Sequence, residues 1–116
     1  MAQHNSINYL EIPVKDVLAT KAFFKQVFGW DFQDYGPDYT CFLNVGIDGG
    51  FYQSPLSFTL ANGCPLIVLY SQDLEATQAA VIDAGGLISR DTFRFPGGRR
   101  FHFTDINGNE YAVWSQ

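Results

Sequence analysis

Ile7 to Val14 alternates loosely between apolar and polar positions, so that Leu10, Ile12 and Val14 fall on one face and Tyr9, Glu11 and Pro13 on the other. That two-residue period predicts a strand. Past Asp16 the period lengthens, and Val17, Ala19 or Thr20, Phe23, Phe24, Val27 and Phe28 recur at helical spacing. Asp16 is placed to accept the free amide hydrogens of the first turn, and Gly29 suits a left-handed stop. From Trp30 the period returns to two, predicting strands near 30–34, 39–45 and 50–53, with Tyr35-Gly36-Pro37-Asp38 and Asp48-Gly49-Gly50 as turns. Residues 54–63 (SPLSFTLANG) read as a connector. The order then recurs: a strand over 65–70, a helix from Asp73 closed by Gly85-Gly86, a strand from Leu87 through Phe93 and Phe95, a Pro96-Gly97-Gly98 turn, a strand over 99–104, an Asn107-Gly108 turn and a strand over 110–114.

The recurrence is visible in the residues themselves. Asp16, Ala19, Thr20, Ala22 and Gly29 reappear as Asp73, Ala76, Thr77, Ala79 and Gly86, at a constant offset of 57. One β-α-β-β-β unit is therefore used twice. The expected fold class is α+β, a single domain over 1–116 with a first module at 5–53, the connector, and a second module at 64–116. Neither sheet is expected to bury its faces alone.

Composition narrows the function. With 116 residues, 47% hydrophobic, the chain can bury a real though small core. Its longest apolar runs fall far short of the roughly 20 residues of a spanning helix, and MAQHNS lacks a signal-like region, so a cytoplasmic protein without membrane partners is expected. Cys41 and Cys64 are then expected as free thiols. A net charge of −5 argues against nucleic-acid partners, which need a basic surface. Only Arg90, Arg94, Arg99 and Arg100 cluster among the seven basic residues, and such a run is ordinarily a solvated strand face. Gly49-Gly50 and Gly97-Gly98 read as hairpin turns, though the Gly97-Gly98-Arg99-Arg100 run also offers itself to an anion.

INYLEIPVKD and FFKQVFGW early, DGGFYQ in the middle, and FPGGRRFHFTD and GNEYAVW late resemble the vicinal oxygen chelate superfamily, the glyoxalase/bleomycin-resistance fold, over essentially the whole chain. The resemblance to small bacterial proteins related to lactoylglutathione lyase implies curved, mainly antiparallel sheets around a cleft, and a homodimer. It also implies metal ligands at positions counted from the capping aspartates and the last turn glycine of each half, which here are Tyr9, Gln53, Leu66 and Ala112. Only Gln53 is an ordinary ligand, since Leu66 and Ala112 have no donor and a neutral phenol is a poor one. No metal cofactor is therefore expected at those positions.

Alternation places Glu11 and Glu110 on the faces of Tyr9 and Ala112. Such a pair of carboxylates, with Gln53, suits acid/base work or a weak, relocated metal site. His102, the one strand histidine, is the candidate proton carrier, against the plainer reading of a locally bonded core residue. Glu11, Glu110 and His102 are thus the catalytic candidates, and Tyr9, Gln53, Tyr70, Arg94 and Trp114 the ligand-binding ones. The same parity turns Tyr52 and Tyr111 toward the helices. The expected function is metal-independent binding of a small aromatic or apolar ligand between the modules; the alternative is a metal-dependent lyase or isomerase of the lactoylglutathione lyase type.

Overall fold

The computed structural model describes residues 2–116. The first half runs β1 (Tyr9–Val14), α1 (Val17–Phe28), β2 (Asp31–Asp34), β3 (Tyr39–Leu43) and β4 (Asp48–Gln53). A short 3-10 turn at Leu60–Asn62 lies in the connector. The second half runs β5 (Ile67–Tyr70), α2 (Leu74–Asp83), β6 (Leu87–Phe95), β7 (Gly98–Thr104) and β8 (Glu110–Ser115). Each half forms its own mixed four-stranded sheet, ordered β1-β4-β3-β2 and β5-β8-β7-β6, with one parallel pair and two antiparallel ones.

The helices begin where the sequence places their caps. The carboxylates of Asp16 and Asp73 accept from the amides of Ala19 and Ala76, at 2.9 and 3.1 Å. Each helix lays its apolar stripe on a sheet, and α1 reaches both sheets. Phe24 is fully buried, with the rings of Phe28, Trp30, Phe51 and Tyr111 centred 4.8–5.8 Å away, while Phe23 stacks on Phe103 at 6.1 Å. One core thus joins Ile12, Val14, Phe42 and Phe51 of the first sheet to Phe101, Phe103, Tyr111 and Val113 of the second. Burying a phenylalanine stabilises by about 1.5–3 kcal/mol, so this shared aromatic cluster holds the halves together.

The two sheets superpose position by position. Leu10 faces Gly49 across the parallel pair as Ile67 faces Tyr111, and Cys41 faces Gly50 as His102 faces Ala112. In this register Tyr39 corresponds to Arg100, Tyr52 to Trp114, Pro13 to Tyr70, Asp48 to Glu110, and Tyr9 to Leu66.

Two sequence expectations are corrected here. Asp48, Gly49 and Gly50 are not a turn but the first half of β4, and the turn before it spans Asn44 to Ile47, with Asn44 and Gly46 at φ 58° and 107°. The glycines serve close strand approach instead. A Cβ on Gly49 would overlap the Leu10 carbonyl oxygen and lie 2.6 Å from the Phe42 ring, and one on Gly50 would lie 2.6 Å from the Thr40 carbonyl oxygen. The true turn glycine of the first half, Gly46, matches Gly108 (φ 83°) of the second. Counting four residues on from Gly108 gives Ala112, and from Gly46 it gives Gly50 rather than Gln53.

The Asp105-to-Asn109 turn clamps the second half onto the first. Asn107, 2% exposed, accepts from the amide of Lys15 at 2.9 Å and donates to Thr20 Oγ1 at 2.9 Å and Asp105 Oδ2 at 3.1 Å. Asn109 donates to the Pro13 carbonyl at 2.7 Å and accepts from the amide of Phe58. Asp105 accepts from the amides of Asn107 and Asn109. Burial raises the pKa of its carboxyl, and these hydrogen bonds oppose the shift.

Candidate functional site

The helix-free faces of the two sheets carry the candidate chemistry. On the first sheet, alternation from β1, β3 and β4 gathers Tyr9, Glu11, Tyr39, Cys41 and Tyr52 on one side. The Tyr9 hydroxyl lies 2.5 Å from that of Tyr39 and 3.4 Å from the thiol of Cys41. The hydrogen bonds to Cys41 and Tyr39 hold the Tyr9 phenol well above its usual range. Removal from water raises Tyr39; the hydrogen bond from Tyr9 opposes the shift, and the Glu11 carboxylate adds to it. These phenols stay neutral and bonded to one another, a closed network rather than an acid/base pair. Cys41 and Cys64 are both free thiols.

Tyr52 therefore stands on the helix-free face, against the sequence parity, because the turn glycine from which the face is counted is Gly46 rather than Gly49, and a shift of three residues reverses alternation. Gln53 is displaced with it. It is in register with Val14 and shares the parity of buried Phe51, so it lies off the face of Glu11, beside Lys15 and Pro55. Tyr111 is buried on the helix side, as its parity implies.

The helix-free face of the second sheet is aromatic and cationic. Trp114 meets Tyr70 edge-on at 4.9 Å and Phe95 at 6.2 Å. The Arg90 guanidinium sits 3.7 Å above the Phe93 ring, and that of Arg100 lies 5.1 Å from Phe93 and 5.3 Å from Phe95. Among the described residues, neither the Arg90 nor the Arg100 guanidinium has a hydrogen bond or a carboxylate partner. His102 is 2% exposed, its ring 5.7 Å from Phe93. Its Nδ1 lies 3.4 Å from Glu110 Oε2, while Glu110 Oε1 accepts from the amide of Leu60 at 3.0 Å. Burial pushes the imidazole below its ordinary pKa; the Glu110 carboxylate opposes the shift, and Arg100 and Arg90 add to it.

Of the residues singled out from sequence, the structure brings Tyr70, His102, Glu110 and Trp114 together on this face and Tyr9 with Glu11 on the other. Among the described residues, no hydrogen bond or ion pair joins the two sets, and Glu11 borders Phe58, Cys64 and Pro65 instead. Arg94 belongs to neither. It is in register with Arg99, which is paired to Glu75 of α2 at 2.7 Å, so Arg94 lies on the helix side. Arg90, Phe93 and Arg100 take its place. β6 slips register between Ile88 and Arg90 and again between Arg90 and Phe93, and the slips bring Arg90 and Phe93 to the same side. Strict alternation hides that pairing, and only the Asp91-Thr92 interruption of the apolar pattern marks it in the sequence.

The residues at the expected metal positions do not suit a metal. Corrected for the turn, they are Tyr9, Gly50, Leu66 and Ala112, of which only a hydrogen-bonded neutral phenol carries a side-chain donor. Among the described residues, no group of three or more His, Cys, Asp or Glu side chains converges elsewhere. No helix among them is long and apolar enough to cross a membrane.

Comparison with known proteins identifies the lineage. No curated protein matches the sequence. Among solved structures, a glyoxalase-related enzyme from Fulvimarina pelagi superposes with a TM-score of 0.80 at 13% identity, over 97% of this chain and 88% of that one. The genomically encoded fosfomycin resistance protein FosX of Listeria monocytogenes does so with 0.78 at 18%, over 98% and 95%. A lactoylglutathione lyase from Agrobacterium tumefaciens gives 0.70 at 16%, over 96% and 93%. At these identities the likeness concerns the fold alone. The sequence model of the Glyoxalase/Bleomycin resistance protein/Dioxygenase superfamily matches residues 6–113, and the chain belongs to that superfamily.

Proposed function

We propose that this protein binds a small aromatic ligand without a metal, on the helix-free face of the second sheet, against Tyr70, Phe93, Phe95 and Trp114. The observation that supports this reading is a layer of partly exposed rings interleaved with two unpaired guanidinium groups, in a chain of net charge −5. Rings of this kind give a planar ligand large contact area at small entropic cost, and arginine adds attraction through its face. The first sheet offers no comparable surface, because two of its three phenols, Tyr9 and Tyr39, are bonded to each other and it carries no guanidinium. Tyr70, 51% exposed, and Trp114 form the outer wall.

Thermal denaturation with a panel of planar ligands, in the presence and absence of a chelator, tests the proposal. A stabilisation that survives the chelator is expected. Trp114→Ala should weaken binding about tenfold, or roughly 1.4 kcal/mol. A shift that requires added metal, or metal-dependent turnover of methylglyoxal with glutathione, would return the protein to the lyase reading.

A further inference from the structure

Among the described residues, two buried polar atoms on this face have no hydrogen-bond partner, Nε of Arg100 and Nε2 of His102. Native proteins rarely leave such groups unmatched, and when they do the site itself calls for an explanation. The two residues are two apart on the same side of β7 and flank the same Phe93 ring, at 5.1 and 5.7 Å. Arg100 Nε–H is a donor without an acceptor. His102 is held at its other nitrogen by Glu110, so a neutral ring leaves Nε2 as a bare lone pair, and a protonated ring makes it a second donor beside the first. The charged groups facing the imidazole come from three strands: Glu110 on β8, Arg100 on β7 and Arg90 on β6. Burial and the two arginines disfavour the charged imidazole and Glu110 favours it, so an anion brought beside the ring would add to the pull of Glu110.

We propose that Arg100 and His102 together bind the carboxylate of a planar aromatic acid. Arg100 Nε–H donates to one oxygen, and His102, taking a proton from solvent as the anion arrives, donates Nε2–H to the other. The ring system of the ligand lies against Trp114 and Tyr70. Phe93 is the cover over both donors. It sits on β6, an edge strand whose register is already broken on either side of Arg90, and it moves aside with the guanidinium stacked on it. This assignment rests on the aromatic-ligand reading above and adds to it the charge of the ligand and a linked proton.

Calorimetric titration with 1-naphthoate and with 1-naphthamide, from pH 6 to pH 8.5 in buffers of different ionisation enthalpy, separates the two ideas. For naphthoate, which is ionised throughout that range, uptake approaching one proton per site is expected, with affinity falling by up to about tenfold for each unit of rising pH. Naphthamide should bind about tenfold more weakly or worse, and without pH dependence. Arg100→Gln should remove the preference for the acid, and Arg100→Lys should restore part of it. His102→Gln should abolish the proton uptake while leaving a weaker association. Should that variant fail to fold, the proton count of the native chain and the Arg100 variants decide the matter. Equal binding of the two probes without proton uptake overturns the carboxylate pair and leaves the aromatic site standing. Binding of neither probe overturns both.

Discussion

The two helix-free faces began as one surface, and the same scaffold positions now hold opposite chemistries. Where the first sheet carries Tyr39, Cys41 and Tyr52, the second carries Arg100, His102 and Trp114 in the same register. The first set satisfies itself, with Tyr9, Tyr39 and Cys41 bonded to one another. The second leaves one guanidinium nitrogen and one imidazole nitrogen buried and, among the described residues, unmatched. Duplication preserves the backbone and frees the side chains, so the face with unmet hydrogen bonds is where a ligand is to be sought. The lesson extends to the sheet interior. Gly49, pressed between β1 and β3, corresponds to Tyr111, a fully buried ring that fills the same position in the second sheet.

The largest effect should come from breaking that last difference. In Gly49→Ala the new methyl has no place to go, since the Leu10 carbonyl and the Phe42 ring already occupy the space. The first sheet must splay, at a cost of about 3 kcal/mol or more. Urea unfolding should show a correspondingly lower midpoint or a chain that no longer folds cooperatively. An unchanged midpoint would mean that β1 and β4 do not run together as described.

The turns before the last strand of each half differ as sharply. The Asn107 turn is buried and bonded across the halves, whereas Asn44 lies exposed in its counterpart. Asn107→Ala strands the amide of Lys15 and takes the side-chain donor from Thr20 Oγ1 and Asp105 Oδ2, and should cost about 2–3 kcal/mol, a drop in melting temperature of about ten degrees. Asn44→Gly keeps a left-handed position open and should stay within about 0.5 kcal/mol of the parent. Similar losses in the two variants would erase the proposed asymmetry of the seam.

These contrasts also mark what a reader of the sequence can see. The two helices, their aspartate caps and the duplicated strand order follow from period and capping chemistry, because both act within a few residues. Gly49-Gly50 misleads, since a glycine pair that permits close strand approach looks the same in sequence as one that permits a turn. That single misreading moved the ligand count from Gly50 to Gln53 and turned Tyr52 to the wrong side. The faces of Arg90 and Arg94 are hidden for a different reason: each bulge in β6 reverses parity, and bulges depend on the partner strand rather than on local composition. His102 and Glu110 were legible as neighbours because β7 and β8 pair without slippage.

The smallest effect should fall on the phenolic face. Tyr9 is 43% exposed, so the bonds it makes to Tyr39 and Cys41 compete with water, and Tyr9→Phe should change stability at neutral pH by about 0.5 kcal/mol or less. Its signature lies at high pH. Tyr9, Tyr39 and Tyr111 all have phenol pKa values raised in the fold, so their contribution is fully present below the unfolded value near ~10 and is lost as pH rises through the folded values. Alkaline titration followed by phenolate absorbance should show three late phenols in the parent and two in Tyr9→Phe. The variant should bind an aromatic ligand as the parent does, since among the described residues the hydroxyl of Tyr9 bonds only within the first sheet. Loss of ligand binding in Tyr9→Phe would place the ligand across both faces and end the division of labour between them.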